Sequence, residues 1–174
     1  MKNEKIIIER FNIDNYAEYK QNLSSVCVPS EFYTLSRQTF DLAKKNVFLM
    51  FRKYESRILF FKKQKTNLIG YCIVEDIRYL PEDCQDYLEA GYQIPLSVLK
   101  EYPTVISDCM IAKKYRRKGY GRRLAEYVIN IVYSNSKISL KADGDGLYFW
   151  DKLGVESVKD NDSVKILKGE NRNA

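Results

Sequence analysis

The residues best suited to chemistry lie in one short segment, Arg116-Arg117-Lys118-Gly119-Tyr120-Gly121, between a predicted strand and a predicted helix. Backbone N–H groups at the start of a helix, together with the positive end of the helix dipole, bind anions. Glycines here let the backbone approach a ligand closely and adopt a positive φ. The segment therefore predicts a site for a pyrophosphate, and the flanking sequence adds the charges of Lys113, Lys114, Arg122 and Arg123.

An aspartate in a predicted strand is the first candidate for a proton-transfer group. The chain contains no histidine, which excludes a histidine base and the Ser-His and Cys-His nucleophile pairs. Proton transfer must then use carboxylates, tyrosines, lysines, cysteines or water. Asp108 lies in an otherwise apolar segment, residues 104–111, where it either acts as a base or pairs with a nearby cation. Glu75 and Asp76, at the end of another predicted strand, are the next candidates, with solvated strand-end charges as the alternative.

The cysteines of the chain are scattered. Cys27, Cys72, Cys84 and Cys109 include no Cys-x-x-Cys pair. This spacing predicts neither a zinc site nor a disulfide framework. Because histidine, the commonest metal ligand, is also absent, we expect no metal site.

Length and charge set the broad class of the protein. At 174 residues the chain corresponds to one domain, residues 1–174. Its net charge of +6 favours anionic partners. No segment approaches the roughly 20 apolar residues of a membrane span, and the N-terminal segment is too short and too charged for a signal peptide. We therefore expect a cytoplasmic protein without a membrane partner.

The elements before the basic turn are predicted from β-branched runs and turn residues. We expect a strand at residues 5–11, helices at about 14–23 and 31–45, and strands at 47–52, 58–63 and 68–74. Residues 64–67, Gln-Lys-Thr-Asn, are predicted as the turn of a hairpin between the last two strands. Residues 79–103 are rich in turn residues and are interpreted as an insertion with two short helical pieces that forms a rim or lid.

The elements around and after the basic turn complete the prediction. A strand at residues 104–111 leads into a helix whose apolar residues follow the spacing i, i+3, i+4, i+7 and i+8, namely Leu124, Tyr127, Val128, Ile131 and Val132. Strands at 138–142, 155–159 and 163–168 and a helix at 147–153, ended by Gly154, come next. Residues 169–174 are interpreted as a frayed tail. This order predicts an α/β fold built on a mixed sheet.

At the basic turn the sequence resembles the GNAT superfamily of N-acetyltransferases. The acetyl-CoA motif of that superfamily has Arg or Gln, two variable residues, Gly, one variable residue, and Gly or Ala. Arg116, Gly119 and Gly121 match its fixed positions. Phe149-Trp150-Asp151-Lys152-Leu153-Gly154-Val155 resembles the second signature, often Leu-Tyr-Glu-Lys-Leu-Gly-Phe, at the expected distance downstream. The resemblance implies a GNAT-like acyl-CoA-binding fold with a mixed, largely antiparallel central sheet flanked by helices.

The resemblance also implies an activity and a binding site. The activity would be transfer of an acetyl group from acetyl-CoA to a primary amine, by direct attack through a tetrahedral intermediate. The backbone near Met110 and Ile111 would pair with the pantetheine arm, and an N–H there would stabilise the oxyanion. The turn would hold the pyrophosphate, so the cofactor-binding residues would be Met110, Ile111, Arg116, Arg117, Lys118, Gly119, Tyr120, Gly121 and Arg122.

This chain lacks the tyrosine that usually serves as the general acid in the family. The family places a tyrosine where this sequence has Trp150, and an indole N–H donates hydrogen bonds without being a proton source near neutral pH. Tyr148 is the nearest phenol and the candidate acid, although it lies about 200° round a helix from Trp150. Asp108 remains the candidate base, and protonation through water is an alternative to Tyr148.

Two other functions fit the same residues. A non-catalytic acyl-CoA-binding regulatory module would keep the turn and lack the acid. A nucleic-acid or ribosome-associated protein would use the basic residues 113–123, although Tyr115 and Tyr120 alone interleave aromatic rings with them. The acceptor, a small molecule or a protein, stays open, as does a monomeric or dimeric state. The insertion at residues 79–103 would lie on the substrate side, where its acidic residues would attract a cationic acceptor or form a solvated rim.

Overall fold

A single seven-stranded sheet organises the part of the chain that the structure describes. The structure is a computed structural model and describes residues 3–12, 29–32, 44–58, 61–79 and 88–168. Along the sheet the strands lie in the order β1-β2-β3-β4-β5-β7-β6. Among the described strands only β4 and β5 pair in parallel, and the other neighbouring pairs are antiparallel. The mixed, largely antiparallel sheet is therefore confirmed, with strands β1 (Asn3–Asn12), β2 (Lys44–Ile58), β3 (Phe61–Asp76), β4 (Thr104–Ile111), β5 (Ile138–Lys141), β6 (Glu156–Val158) and β7 (Asn161–Leu167).

The described helices lie in the connections between strands. Between β3 and β4 come α1 (Leu88–Tyr92) and α2 (Leu96–Glu101), the two helical pieces predicted in the insertion. Between β4 and β5 comes α3 (Tyr120–Glu126), which continues as a π-helix, Tyr127–Val132. A helical crossover is expected here because parallel neighbours cannot be joined by a tight turn. The last helix, α4 (Asp145–Asp151), follows β5, and none of the described helices is long and apolar enough to cross a membrane.

The core lies on both faces of β2 and β3. Residues 46–51 and 68–75 are buried without interruption, so successive side chains that point to opposite faces are all covered. Leu124 and Val128 of the helical crossover are fully buried in the same cluster. The continuous apolar runs of the sequence thus mark central strands, on which the edge strands and the crossover are built.

The predicted hairpin turn is wrong. Residues 64–67 lie inside β3, where Asn67 pairs with Arg52 and Gln64 pairs with Glu55. The two strands remain paired as far as Ile58 opposite Phe61. β4 pairs with β3 only from Gly70 onward, so this end of the β2–β3 ribbon extends beyond its neighbour. The backbone of polar residues forms strand hydrogen bonds as well as the backbone of apolar residues does. The polar composition of residues 64–67 therefore predicted a turn where the chain continues as a strand.

Two predicted helices fall largely outside the described residues. The helix at 14–23 cannot be compared. Of the helix at 31–45, Ser30–Phe32 forms a 3₁₀ turn, and Lys44 and Lys45 already belong to β2, so its predicted end is wrong. The tail at 169–174 also lies outside. The strands predicted at 5–11, 104–111, 138–142, 155–159 and 163–168 are confirmed with small changes of boundary.

The apolar face predicted for the crossover helix is partly wrong. Leu124 and Val128 are buried, but Ile131 is 68% exposed and Ile129 is buried in its place. The cause is the π-helical turn, in which the N–H of Tyr133 donates to the carbonyl of Val128, five residues back. A π-turn inserts an extra residue into the helical repeat and rotates everything after it. A spacing rule based on 3.6 residues per turn therefore fails beyond residue 128.

Candidate functional site

The site begins where β4 and β5 separate. The two strands pair only over Thr104–Ile106 of β4 and Ile138–Leu140 of β5. β5 ends at Lys141, whereas β4 continues to Ile111. Within the described chain, residues 107–111 therefore have no strand partner on the β5 side. The sheet contains a gap at this point, with one backbone edge exposed to it.

A β-bulge in β4 coincides with the separation. Ile106 pairs with Val74 and Asp108 with Ile73, so Ser107 is an extra residue without a partner on β3. Bulges bend the strand that contains them and occur often beside active sites. We attribute the divergence of β4 from β5 to this bend, since the parallel pairing ends at Ile106, directly before the bulge.

The alternation of the strand decides which peptide groups of β4 face the gap. The N–H of Ala112 donates to the carbonyl of Ile69 on β3, at 2.9 Å. Peptide groups of alternate residues point to the same side, so those of Met110 also face β3. Those of Cys109 and Ile111 point the opposite way, into the gap. Of the two residues predicted to hold the pantetheine arm, Ile111 thus offers its backbone to the gap and Met110 does not.

The basic turn follows directly after β4. Arg117 and Gly119 adopt left-handed backbone conformations, with φ of 60° and 79°. The first α-helical bond of α3 runs from the N–H of Arg123 to the carbonyl of Gly119, at 3.0 Å. The amides before Arg123 therefore precede the helical ladder, as the first four N–H groups of a helix do. The N–H groups of residues 117–122 are those that the sequence predicts to bind a pyrophosphate.

The basic side chains of the turn are exposed, and two of them are tethered by hydrogen bonds or ion pairs within the chain. Arg116 donates from Nε to the carbonyl of Ile111 at 2.9 Å, which ties the turn to the end of β4. Arg122 pairs with Glu126 at 2.7 Å. Arg117 and Lys118 are exposed, and Lys118 lies 5.9 Å from the ring of the buried Tyr115. The exposed charges surround the amide cluster and favour an anion there.

The glycines of the turn have different structural needs. The positive φ of Gly119 favours glycine, because a side chain is strained in this backbone conformation. A Cβ on Gly121 would lie 3.5 Å from Ile111 Cγ1 and from Phe149 Cε2, which is ordinary van der Waals contact. Packing within the chain thus does not require glycine at 121.

A cavity of about 550 Å³ occupies the gap. Its walls come from β3 and β4, from residues 91–94 of the insertion, and from β5 and α4. Asp108, Glu75, Tyr92 and Trp150 all line it. The structure thus combines an open strand edge, an anion-binding turn at the end of that strand and a cavity containing carboxylates.

Comparison with known families decides what this combination represents. The model of the acetyltransferase (GNAT) family matches residues 21–154, which is most of the chain and includes the gap, the turn and α4. The chain belongs to the GNAT acetyltransferase family. It is therefore an acyl-CoA-dependent acyltransferase. Neither the curated proteins nor the solved structures contain a significant match.

Asp108 of this GNAT protein lies in the environment that a base requires. The hydroxyl of Tyr71, a fully buried residue, donates to Asp108 Oδ2 at 2.5 Å. Burial raises the pKa of the Asp108 carboxyl above its ordinary value, while the hydrogen bonds from Tyr71 and from the Cys109 backbone oppose the rise. Both partners are neutral, so the alternative of an aspartate held by a nearby cation finds no support among the described residues.

Glu75 is more deeply buried than its position at a strand end predicted. It is only 6% exposed, and Tyr92 donates a hydrogen bond to its Oε2 at 2.6 Å. Burial and the neighbouring Glu75 raise the pKa of Tyr92, so Tyr92 stays a hydrogen-bond donor. Asp76, by contrast, pairs with Arg78. Position at a strand end suggested solvation for both carboxylates, but Tyr92 of the insertion contacts Glu75, which is buried.

The second signature places Trp150, not Tyr148, at the cavity. Trp150 is 5% exposed and lines the cavity wall. Tyr148 is 68% exposed, and its ring contacts the ammonium of Lys152 at 5.1 Å. The structure therefore does not bring Tyr148 together with Asp108. Asp108 lines the cavity from β4, the strand that leads into the basic turn.

Proposed function

We propose that this GNAT protein transfers an acetyl group from acetyl-CoA to a primary amine. The observation that carries the proposal is the position of Asp108 on β4, at the exposed strand edge that leads into the anion-binding turn. A thioester held along that edge would lie beside a carboxylate suited to accept a proton. N-acyl transfer requires that the incoming ammonium lose a proton and that its nitrogen be aimed at the carbonyl carbon. Both requirements apply at the thioester itself.

Each group of the chain has a defined role in this proposal. The amides of residues 117–122 and the exposed charges around them bind the pyrophosphate. The backbone of Ile111 pairs with the pantetheine arm, which aims the thioester into the cavity. Asp108 removes the proton from the acceptor ammonium, with Tyr71 holding the carboxylate in position. The acceptor amine enters from the side of the cavity formed by the insertion.

The departing thiolate needs no dedicated acid in this proposal. Thiols ordinarily have a pKa near about 8.5, so a thiolate takes a proton from water readily at neutral pH. Trp150 then lines the cavity wall at the position where the family has its tyrosine. Tyr148 has no role in this scheme because it lies outside the cavity lining.

A second candidate function follows from the presence of Trp150 where the family has a tyrosine. The family tyrosine is replaced by Trp150, which favours a module that binds acyl-CoA without turnover. The two candidates differ in one result, since only the enzyme forms an amide. The basic residues 113–123 already have a use at the pyrophosphate, and no observation assigns them to nucleic acid.

The cofactor half of the proposal is tested by substitutions at Gly121. We expect Gly121→Glu to abolish binding of acetyl-CoA in calorimetry, because a carboxylate there repels the pyrophosphate. Gly121→Ala is the matched control, since its methyl group fits in ordinary contact within the chain and adds no charge, so acetyl-CoA should still bind. Equal binding by both variants would place the pyrophosphate elsewhere.

A further inference from the structure

Two of the four cysteines lie directly opposite each other on neighbouring strands of the sheet. Cys72 of β3 pairs in register with Cys109 of β4. Residues directly opposite each other in an antiparallel pair lie on the same face of the sheet, so their side chains are neighbours. The two thiols share a hydrogen bond, which together with burial raises the pKa of Cys72 well above its ordinary value. The sequence separates these cysteines by 37 positions, and the fold brings their sulfur atoms together.

The hydrogen-bond pattern brings the two backbones close together at this pair. The N–H of Ala112 donates to the carbonyl of Ile69, which the register places opposite it, so these residues form a hydrogen-bonded pair. Hydrogen-bonded and non-hydrogen-bonded pairs alternate along an antiparallel ladder. Three steps along, Cys72 and Cys109 therefore form a non-hydrogen-bonded pair, in which the Cα atoms lie about 4.5 Å apart. Disulfides span Cα distances of about 4.4–6.8 Å, so the bond can form without moving the strands apart.

The two thiols differ in their access to small molecules. Cys72 is fully buried in the core. Cys109 is partly exposed and lines the cavity beside Asp108. Susceptibility of a cysteine to oxidation follows its exposure, and a cavity of about 550 Å³ admits a molecule as small as hydrogen peroxide. An oxidant in the cavity therefore meets Cys109 first, and Cys72 is the thiol next to it.

We propose that Cys72 and Cys109 form a site of reversible oxidation, at which a peroxide produces a disulfide between β3 and β4. The Cys109 sulfur attacks one oxygen of hydrogen peroxide and becomes a sulfenic acid, while the other oxygen leaves with the thiol proton as water. The Cys72 sulfur then attacks the Cys109 sulfur, and the sulfenic hydroxyl leaves with the Cys72 proton as a second water. The two sulfurs are oxidised and the peroxide is reduced. A thiol reductant reverses the bond by exchange. This inference does not depend on acyl transfer.

Single substitutions test the order of the two steps. Cys72→Ser removes the second thiol, so Cys109 should accumulate as a sulfenic acid that dimedone traps. Cys109→Ser leaves only the buried thiol of the pair, and Cys72 should then stay reduced and unlabelled. Labelling of Cys72 in Cys109→Ser, without labelling of Cys109 in Cys72→Ser, would show that Cys109 is not the thiol that peroxide reaches. The matched control is Cys27→Ser/Cys84→Ser, which keeps only the proposed pair and should still form the disulfide.

Peptide mapping of the wild-type chain decides the inference, whether or not the variants fold. The reduced protein is treated with hydrogen peroxide, the remaining thiols are alkylated, and the digest is analysed by mass spectrometry without reduction. We expect two peptides joined through Cys72 and Cys109, lighter than the reduced peptides by two hydrogen atoms and separated again by dithiothreitol. The inference is overturned if Cys109 stays reduced, or if it is oxidised to sulfinic acid without any cross-link to Cys72.

Discussion

The proposed acyl transfer depends on one carboxyl group, that of Asp108. Burial raises its pKa, so it holds a proton more strongly than an ordinary aspartate and is a stronger base once ionised. An amine acceptor must lose a proton during transfer, and a base is most effective when its pKa lies near the working pH. The elevated pKa is therefore expected to appear in the pH dependence of the rate.

We predict that kcat/KM rises with pH through the raised pKa of Asp108. The base works only when ionised, so activity should be lost as the pH falls through that pKa, above the range of an ordinary aspartate. Asp108→Asn should remove this limb and lower kcat/KM by about 10²- to 10⁴-fold. A pH–rate profile of both proteins gives the measurement.

Tyr71→Phe provides the control for that assignment. The Tyr71 hydroxyl stabilises the charged form of Asp108 and lowers its pKa. Its removal should raise the pKa further and move the limb to higher pH, while the phenyl ring keeps its packing with Phe32. A limb that stays in place in Tyr71→Phe and survives in Asp108→Asn would mean that another group is the base.

Single residues of the site differ in how far the sequence could predict them. The turn at 116–121 follows from spacing, because its glycines and basic residues are neighbours in the chain. Asp108 follows from its contrast with an apolar strand. The burial of Glu75 and its bond to Tyr92 connect residues 17 apart through a segment that folds back over the strand end. No local pattern encodes that contact, and the strand-end position pointed toward solvent.

The π-turn changes which side chains of the crossover helix are buried. The turn moves Ile129 into the core and leaves Ile131 68% exposed. We predict that Ile129→Ala lowers the free energy of unfolding by about 2–4 kcal/mol, because it opens a cavity in the core. Ile131→Ala should change it by about 0.5 kcal/mol or less, as expected for a surface position. Urea denaturation of the two variants measures the difference, and a reversed order would mean that the helix is regular.

Helix α4 is held to the sheet by a buried lysine. Lys165 of β7 is 2% exposed, and its Nζ contacts Asp151 Oδ1 at 2.6 Å and Ser157 Oγ at 2.8 Å. Asp151 is the last residue of α4 and directly follows Trp150. The ion pair thereby fixes the helix that presents Trp150 to the cavity. Position in a short strand gave no indication that this lysine would be buried.

Elements were predictable where their pattern is short and local. The strand at 104–111 and the short C-terminal elements follow from β-branched runs, and Gly154 does adopt the left-handed conformation expected of it, with φ of 74°. The β2–β3 ribbon and the π-turn were missed because both depend on tertiary context. A polar strand can have the same composition as a turn, and a π-turn the same composition as a regular helix. Local composition therefore predicts neither feature.

The molecule as a whole separates its two kinds of charge. Seven of the 29 lysine and arginine side chains lie in residues 113–123, a segment without an acidic residue. The cavity next to that segment is lined by Asp108, Glu75 and Asp143. The proposed anionic acyl donor and ammonium acceptor would therefore be attracted to adjacent regions of the molecule. The gap between β4 and β5 is where the two would meet.

Acetylation of an amine by the purified protein tests the central claim most directly. The protein is incubated with acetyl-CoA and a mixture of primary amines, and the products are identified by mass spectrometry. We expect an amide in which an acetyl group replaces one hydrogen of the amine nitrogen, formed in step with release of the CoA thiol and lost in Asp108→Asn. Tight binding of acetyl-CoA without any amide would contradict the enzyme and leave a binding module in its place.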